Sequence, residues 1–199
     1  MILAKGFLYL LKSTLMKTKK LGRYFFAGML GLLLNLPLSA FATADQPLFS
    51  TFDNKPAKIA DYIVDSKWLL VMIWASDCHI CNREAHAYVD FNFKHEDGDA
   101  RVLGISIDGQ AKKKAAELFI KRHEINFPNL IAEPDRLADW FEKLTGQNWM
   151  GTPTLLLYSP DGELRVQQIG AIPLELVEKF IQRNSARKTS VAEKVDHGS

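Results

Sequence analysis

Trp74-Ala75-Ser76-Asp77-Cys78-His79-Ile80-Cys81-Asn82-Arg83-Glu84 decides how this chain is read. Immediately before it, Trp68-Leu-Leu-Val-Met-Ile-Trp74 is an unbroken apolar run with the length and composition of a fully buried strand. Immediately after it, Ile80, Cys81, Ala85, Tyr88 and Phe91 recur at helical spacing and are expected on one face. The cysteines therefore stand where a buried strand turns into a helix, with Cys78 at the helix start. Unpaired N–H groups and the positive end of the dipole favour a thiolate there. They lower the thiol pKa from its free value of about 8.5, and the thiolate is the reactive form. Strand, C-x-x-C, helix is the layout of a dithiol redox site.

Working outward, the N-terminal segment has its own character. Lys5, Lys12, Lys17, Lys19, Lys20 and Arg23 fall within residues 1–42, which hold no acid. Without these six of the 25 Lys and Arg, 19 face 23 Asp and Glu, a net charge of −4, and nothing in that balance points to a nucleic-acid surface. From Met16 the order is basic (Lys17 to Arg23), apolar (Tyr24 to Leu36), then Pro37 and the small-x-small run Ala40-Phe41-Ala42. This is the order of an export signal cleaved after Ala42, with Met16 the more natural start. An uncleaved anchor is the alternative, but the apolar run is short for the roughly 20 residues of a membrane span. The expected organisation is a targeting segment at 1–42, a folded domain at 43–184 and a polar, disordered tail at 185–199.

The cysteine count agrees with a reactive pair. Exported proteins generally spend cysteines on structural disulfides. This chain has only two, and a bridge closing so small a loop constrains little of the unfolded chain.

Along the rest of the chain, Leu48 to Tyr62 reads as a strand or hairpin turning at Asp53-Asn54-Lys55-Pro56. Arg101 to Ile107 reads as a second buried strand. Residues 111–123 read as an amphipathic helix with Ala115, Ala116, Phe119 and Ile120 inward, broken at Asn126-Phe127-Pro128. Residues 134–144 read as a helix opened by proline. Leu155 to Tyr158 and Glu163 to Ile169 flank Ser159-Pro160-Asp161-Gly162 as a β-hairpin. Pro173 opens a last helix with Leu174, Val177, Phe180 and Ile181 on one side. Alternating strands and helices imply an α/β sheet covered on both faces.

W-x-x-x-C-x-x-C followed by Gly151-Thr152-Pro153-Thr154 before a hairpin and a final helix resembles thioredoxin. The C-x-x-C-x-x-E run Cys78 to Glu84, the segment ending Asn126-Phe127-Pro128 and the ending Gly151-Thr-Pro-Thr…Ser159-Pro-Asp-Gly162 carry a closer resemblance. The chain is most similar to the exported TlpA/ResA/DsbE (CcmG) branch of thiol-disulfide oxidoreductases, over roughly residues 47–183. The resemblance implies a thioredoxin-like fold: a central mixed β-sheet, helices on both faces, a C-terminal β-hairpin and helix. It implies that Cys78 is the nucleophile and Cys81 the resolving thiol. Pro153 is implied to be cis, a state of only about 5–6% of X-Pro bonds in general. Thr152 beside it would pair with an extended substrate through its backbone, and His79 and Ile80 would line the groove with Trp74, for which filling the core is the equal alternative. Glu84, three residues after Cys81 among apolar positions, is expected to be desolvated and to relay the proton of Cys81; the alternative is an acid in the early part of the helix that tilts to solvent and favours the dipole. Thioredoxin's own acid stands six residues before the first cysteine, where this chain has Met72.

The resemblance implies reduction of disulfides in exported, periplasmic proteins, with no metal and no organic cofactor. By the same resemblance, a membrane thiol reductant of the DsbD/CcdA type would supply electrons, and apocytochrome c would be a client. The chain departs from the family at His79-Ile80, where proline is frequent, and at Asp77, where tryptophan is common. Protonated His79 would make the pair more oxidising and Asp77 less. A disulfide oxidase or isomerase on the same fold is therefore the alternative. A metal module built on Cys78, Cys81, His79 and His86 is a weaker one, because no second C-x-x-C completes it. A P-x-x-x-T-x-x-C peroxidase site is excluded by Val71 and Ala75.

Overall fold

The computed structural model describes residues 47–64 and 66–196, with side chains described as far as residue 186. The targeting segment expected at 1–42 lies outside the described residues. The apolar run before the cysteines is the strand β3 (Trp68–Trp74), buried along its whole length between β4 and β6 in the interior of a seven-stranded sheet. The sheet order is β2-β1-β5-β4-β3-β6-β7. Here β1 is Phe49–Thr51, β2 Pro56–Ala57, β4 Ala100–Ser106, β5 Asn129–Ile131, β6 Thr154–Tyr158 and β7 Leu164–Ile169.

β3 runs parallel to β4 and antiparallel to β6, and β4 runs parallel to β5. The parallel pairs need crossover helices. These are α1 (His79–His95) between β3 and β4 and α2 (Lys113–Arg122) between β4 and β5. α3 (Pro134–Thr145) carries the chain from β5 toward β6, and the β6–β7 hairpin leads into α4 (Leu174–Asp196). The fold is mixed α/β and thioredoxin-like.

Strand periodicity splits the core in two. Leu70, Met72 and Trp74 face one layer, where they meet Cys81, Ala85, Tyr88 and Phe91 of α1, Ala116 and Phe119 of α2, and Val177 and Ile181 of α4. Leu69, Val71 and Ile73 face the other, against Leu137 and Phe141 of α3 and Phe49 of β1. Each such side chain removed from water contributes about 1.5–3 kcal/mol. The helices at this end of the sheet are thus fixed to β3, the strand that delivers the cysteines.

Several local expectations need correction. β5 is a strand where the sequence shows only a break; three residues carry too short a pattern to register. Ala115 is exposed, whereas its neighbour Ala116 is fully buried. The tail expected to be disordered from residue 185 instead continues α4 to Asp196. Its first residue is held to the domain: the Trp68 indole N–H donates to the Ser185 hydroxyl at 3.3 Å, one turn beyond Phe180, whose ring meets Trp68 edge-on at 5.9 Å.

Candidate active site: a dithiol at a helix start

β3 ends at Trp74, and the chain turns through Ala75-Ser76-Asp77 into α1. Cys78 is the N-cap residue of α1 in an extended conformation. It forms a disulfide with Cys81, the Cα atoms 5.2 Å apart. The Cys81 N–H also donates to Cys78 Sγ at 3.0 Å. A sulfur thus occupies the place that a serine or aspartate oxygen usually takes at a helix N-cap. Cys81 is wholly buried on the core face of α1, whereas Cys78 is partly open to solvent. One sulfur is reachable and the other is shielded directly beneath it.

The turn before Cys78 is held from below by Asp108, a residue the sequence reading does not single out. Its Oδ2 accepts the Ser76 N–H at 3.0 Å and the Ser106 hydroxyl at 2.8 Å, and its Oδ1 accepts the Ser76 hydroxyl at 2.8 Å. Asp108 is 8% exposed. The available signal was its place just past the end of β4, since parallel strands gather functional groups at their carboxyl ends. Asp77, by contrast, is exposed and pairs with Lys112 at 3.1 Å. That lysine offsets its charge beside Cys78, although an exposed pair of this kind is worth little.

Asn82, the residue after Cys81, ties the turn to α2. Its side-chain amide donates to the carbonyls of Ser76 at 3.1 Å and Cys78 at 2.8 Å. Its oxygen receives His123 Nε2 at 2.9 Å and Arg122 Nη1 at 3.3 Å. The His123 ring is buried against Phe119 and meets the His86 ring edge-on at 5.6 Å. Burial, then the neighbouring His86 and Arg122, lowers its pKa below the ordinary imidazole value.

Thr152–Pro153 is a cis peptide bond, and Pro153 is buried. In the β3–β6 pairing Ile73 lies opposite Thr154, so the Pro153 turn stands at the same sheet end as the cysteine turn. His79 and Ile80 are exposed at the tip of α1, so Ile80 does not join the buried face expected of it.

Two expected site residues have surroundings that differ from the expectation. Trp74 is 1% exposed, stacks on Phe119 at 4.2 Å and donates its indole N–H to Asn129 Oδ1 at 3.0 Å. It is a core residue and lines no groove. Glu84 is half-buried: its side chain is 27% exposed and pairs with Arg83 at 3.0 Å. It opens into a groove of about 580 Å³ between α1 and the start of α4. Its charge adds to burial in raising the Tyr88 pKa. Position 84 lies at the edge of the core face, so its carboxylate is only partly covered rather than enclosed among the apolar side chains. For the metal alternative, both sulfurs are engaged with each other and His86 packs on His123. No group of three ligating side chains occurs among the described residues.

A model of the AhpC/TSA family matches residues 40–167, well over half of the chain. The chain belongs to the AhpC/TSA family. This family member shares its fold with solved thiol-disulfide oxidoreductases. The thioredoxin domain of one from Bacteroides vulgatus superposes with a TM-score of 0.55 at 19% identity, over 67% of this chain and 93% of that one. A secreted Mycobacterium tuberculosis disulfide oxidoreductase, described as homologous to E. coli DsbE, gives 0.54 at 18% identity, over 69% and 96%. A thioredoxin-related protein from Neisseria meningitidis serogroup B gives 0.57 at 16% identity, over 69% and 98%.

Proposed function

We propose that this AhpC/TSA family member is an exported thiol-disulfide oxidoreductase that reduces disulfides in other exported proteins through Cys78 and Cys81. The observation that carries this reading is the pairing of a partly exposed Cys78, capped by the Cys81 N–H, with a wholly buried Cys81. In the reduced protein, the Cys78 thiolate attacks one sulfur of a substrate disulfide. That S–S bond breaks, a mixed disulfide forms, and the departing substrate thiolate takes a proton from solvent. Cys81 then loses its proton and attacks Cys78 Sγ, which releases the second substrate sulfur as a thiol. Two electrons pass from the dithiol to the substrate, leaving the Cys78–Cys81 disulfide. A membrane thiol reductant of the DsbD/CcdA type would restore the dithiol, and apocytochrome c is one fitting client class. Thr152, in the turn beside Pro153, would offer backbone to an extended substrate, with His79 and Ile80 flanking the reactive sulfur.

Family membership does not make a peroxidase of the chain: Val71 and Ala75 stand where a peroxidase site needs proline and threonine. Export is supported by the basic-then-apolar N-terminal order, and the relative from M. tuberculosis is itself described as secreted. No helix among the described residues is long and apolar enough to cross a membrane.

The direct test of the two thiol roles is trapping. Cys81→Ser should accumulate mixed disulfides with protein substrates, visible on non-reducing gels and reversed by dithiothreitol, whereas Cys78→Ser should trap nothing and lose all turnover. Full turnover by Cys81→Ser would remove the resolving role.

A further inference from the structure

The Asn82 amide has a determined orientation. Its nitrogen faces two carbonyl oxygens, Ser76 O and Cys78 O, which only accept. Its oxygen faces a guanidinium, which only donates. His123 Nε2, at 2.9 Å from that oxygen, must therefore carry a hydrogen. A directed chain results: His123 Nε2–H to Asn82 Oδ1, then Asn82 Nδ2–H to Cys78 O. The same Cys78 carbonyl also accepts the Asn82 backbone N–H at 3.1 Å, the first helical bond of α1. Asn82 thus grips Cys78 twice, by backbone and by side chain.

The far end of the chain of bonds is fixed independently. His123 is the C-cap residue of α2, its own N–H bonded to Phe119 O, and it lies 41 positions away in sequence from Asn82. Its ring is wedged against Phe119, which in turn stacks on Trp74. The core beneath β3 therefore reaches the cysteine turn through two side chains. What this fixes is the first turn of α1, in which the Cys81 N–H points at Cys78 Sγ. A thiolate at Cys78 depends on that N–H and on the helix end behind it.

We propose that Asn82 and His123 are positioning residues that set the redox poise of the dithiol by holding the first turn of α1 around Cys78. Loosening the turn weakens the N–H contact to Cys78 Sγ, which raises the Cys78 thiol pKa and destabilises the reduced form. The disulfide is then favoured and the pair becomes more reducing. This rests on the dithiol function proposed above.

The experiment uses the full-length protein. The Cys78–Cys81 equilibrium is measured in glutathione buffers and the Cys78 thiolate is titrated by its ultraviolet absorbance. Asn82→Ala and His123→Leu should each shift the equilibrium constant toward the disulfide by about three- to tenfold, where tenfold is about 30 mV for this two-electron couple. Both should raise the Cys78 pKa. His123→Gln, which keeps an N–H donor, should restore most of the wild-type values. An equilibrium constant unchanged in the Ala and Leu variants overturns the proposal, as does a Gln variant shifted as far as the Leu one. Should Asn82→Ala fail to fold, the His123 pair decides alone, because both of its members leave α1 intact. Wild-type protein that fails to cycle would remove the dithiol function itself. Cycling wild type with unshifted variants would remove only the positioning role.

Discussion

Asp108→Ala tests whether the cysteine turn is anchored as described. The carboxylate accepts three hydrogen bonds, from the Ser76 N–H, the Ser76 hydroxyl and the Ser106 hydroxyl, all at 2.8–3.0 Å. A hydrogen bond to a charged acceptor contributes about 1.5–3 kcal/mol net, so three at the low end come to about 4.5 kcal/mol. Part returns in the variant, because hydroxyls can rotate to new acceptors and a small polar cavity admits water. The Ser76 N–H has no such freedom. The expected loss is therefore about 3 kcal/mol, and with urea slopes of about 1–3 kcal/mol/M it moves the midpoint by about 1–3 M. Asp108→Asn should cost only about 1 kcal/mol. Its oxygen can keep the two bonds now made by Oδ2, and the Ser76 hydroxyl can turn to accept from the new N–H₂. The assay is equilibrium urea unfolding of the oxidised full-length protein at neutral pH, with the slope checked for constancy. A loss below about 1 kcal/mol for the alanine variant, or equal losses for the two variants, would refute the argument.

Two further predictions bear on the scaffold. At Gly104 on β4, an added Cβ would lie 1.8 Å from Asn129 Oδ1 and 3.0 Å from Trp74 Nε1. Gly104→Ala should thus displace Asn129, strand the buried indole N–H and cost about 3 kcal/mol by urea unfolding. Once Asn129 is already alanine, the same change should cost clearly less. On the helix layer, hydrogen bonds from Lys94 and His95 hold the Glu178 pKa below its ordinary 4.5, despite some opposing burial. A depressed acid stabilises the fold above its unfolded value and loses that contribution as pH falls through the lowered one. Glu178→Gln should therefore flatten the stability profile below about pH 4.5. Because Lys94 is largely exposed, the change at neutral pH should stay within about 1 kcal/mol, read from urea midpoints.

Long apolar or strongly periodic stretches were readable directly. β3 and the core face of α1 follow from their side-chain periods, and the position of the cysteines between them follows from chain order. Residues whose partners are distant in sequence were not readable. Trp74 looks the same in the sequence whether it lines a groove or fills a core; only Phe119 and Asn129 packing around it decide. Glu84 sits at the margin of an apolar arc, where the arc's width, set by the α4 contacts, determines its exposure. Asp108 and His123 carry no local pattern, since each matters through a bond to a residue 32 or 41 positions away. Three-residue β5 exists because β4 and β1 pair with it, which no local propensity encodes.

The reduction potential of the Cys78–Cys81 pair, measured on the purified full-length protein by equilibration in dithiothreitol and glutathione buffers, tests the reductase function most directly. A reductase predicts a value near about −270 mV, low enough to require a dedicated electron donor. A value near about −120 mV, that of a disulfide donor, or a pair that does not cycle at all, would contradict it.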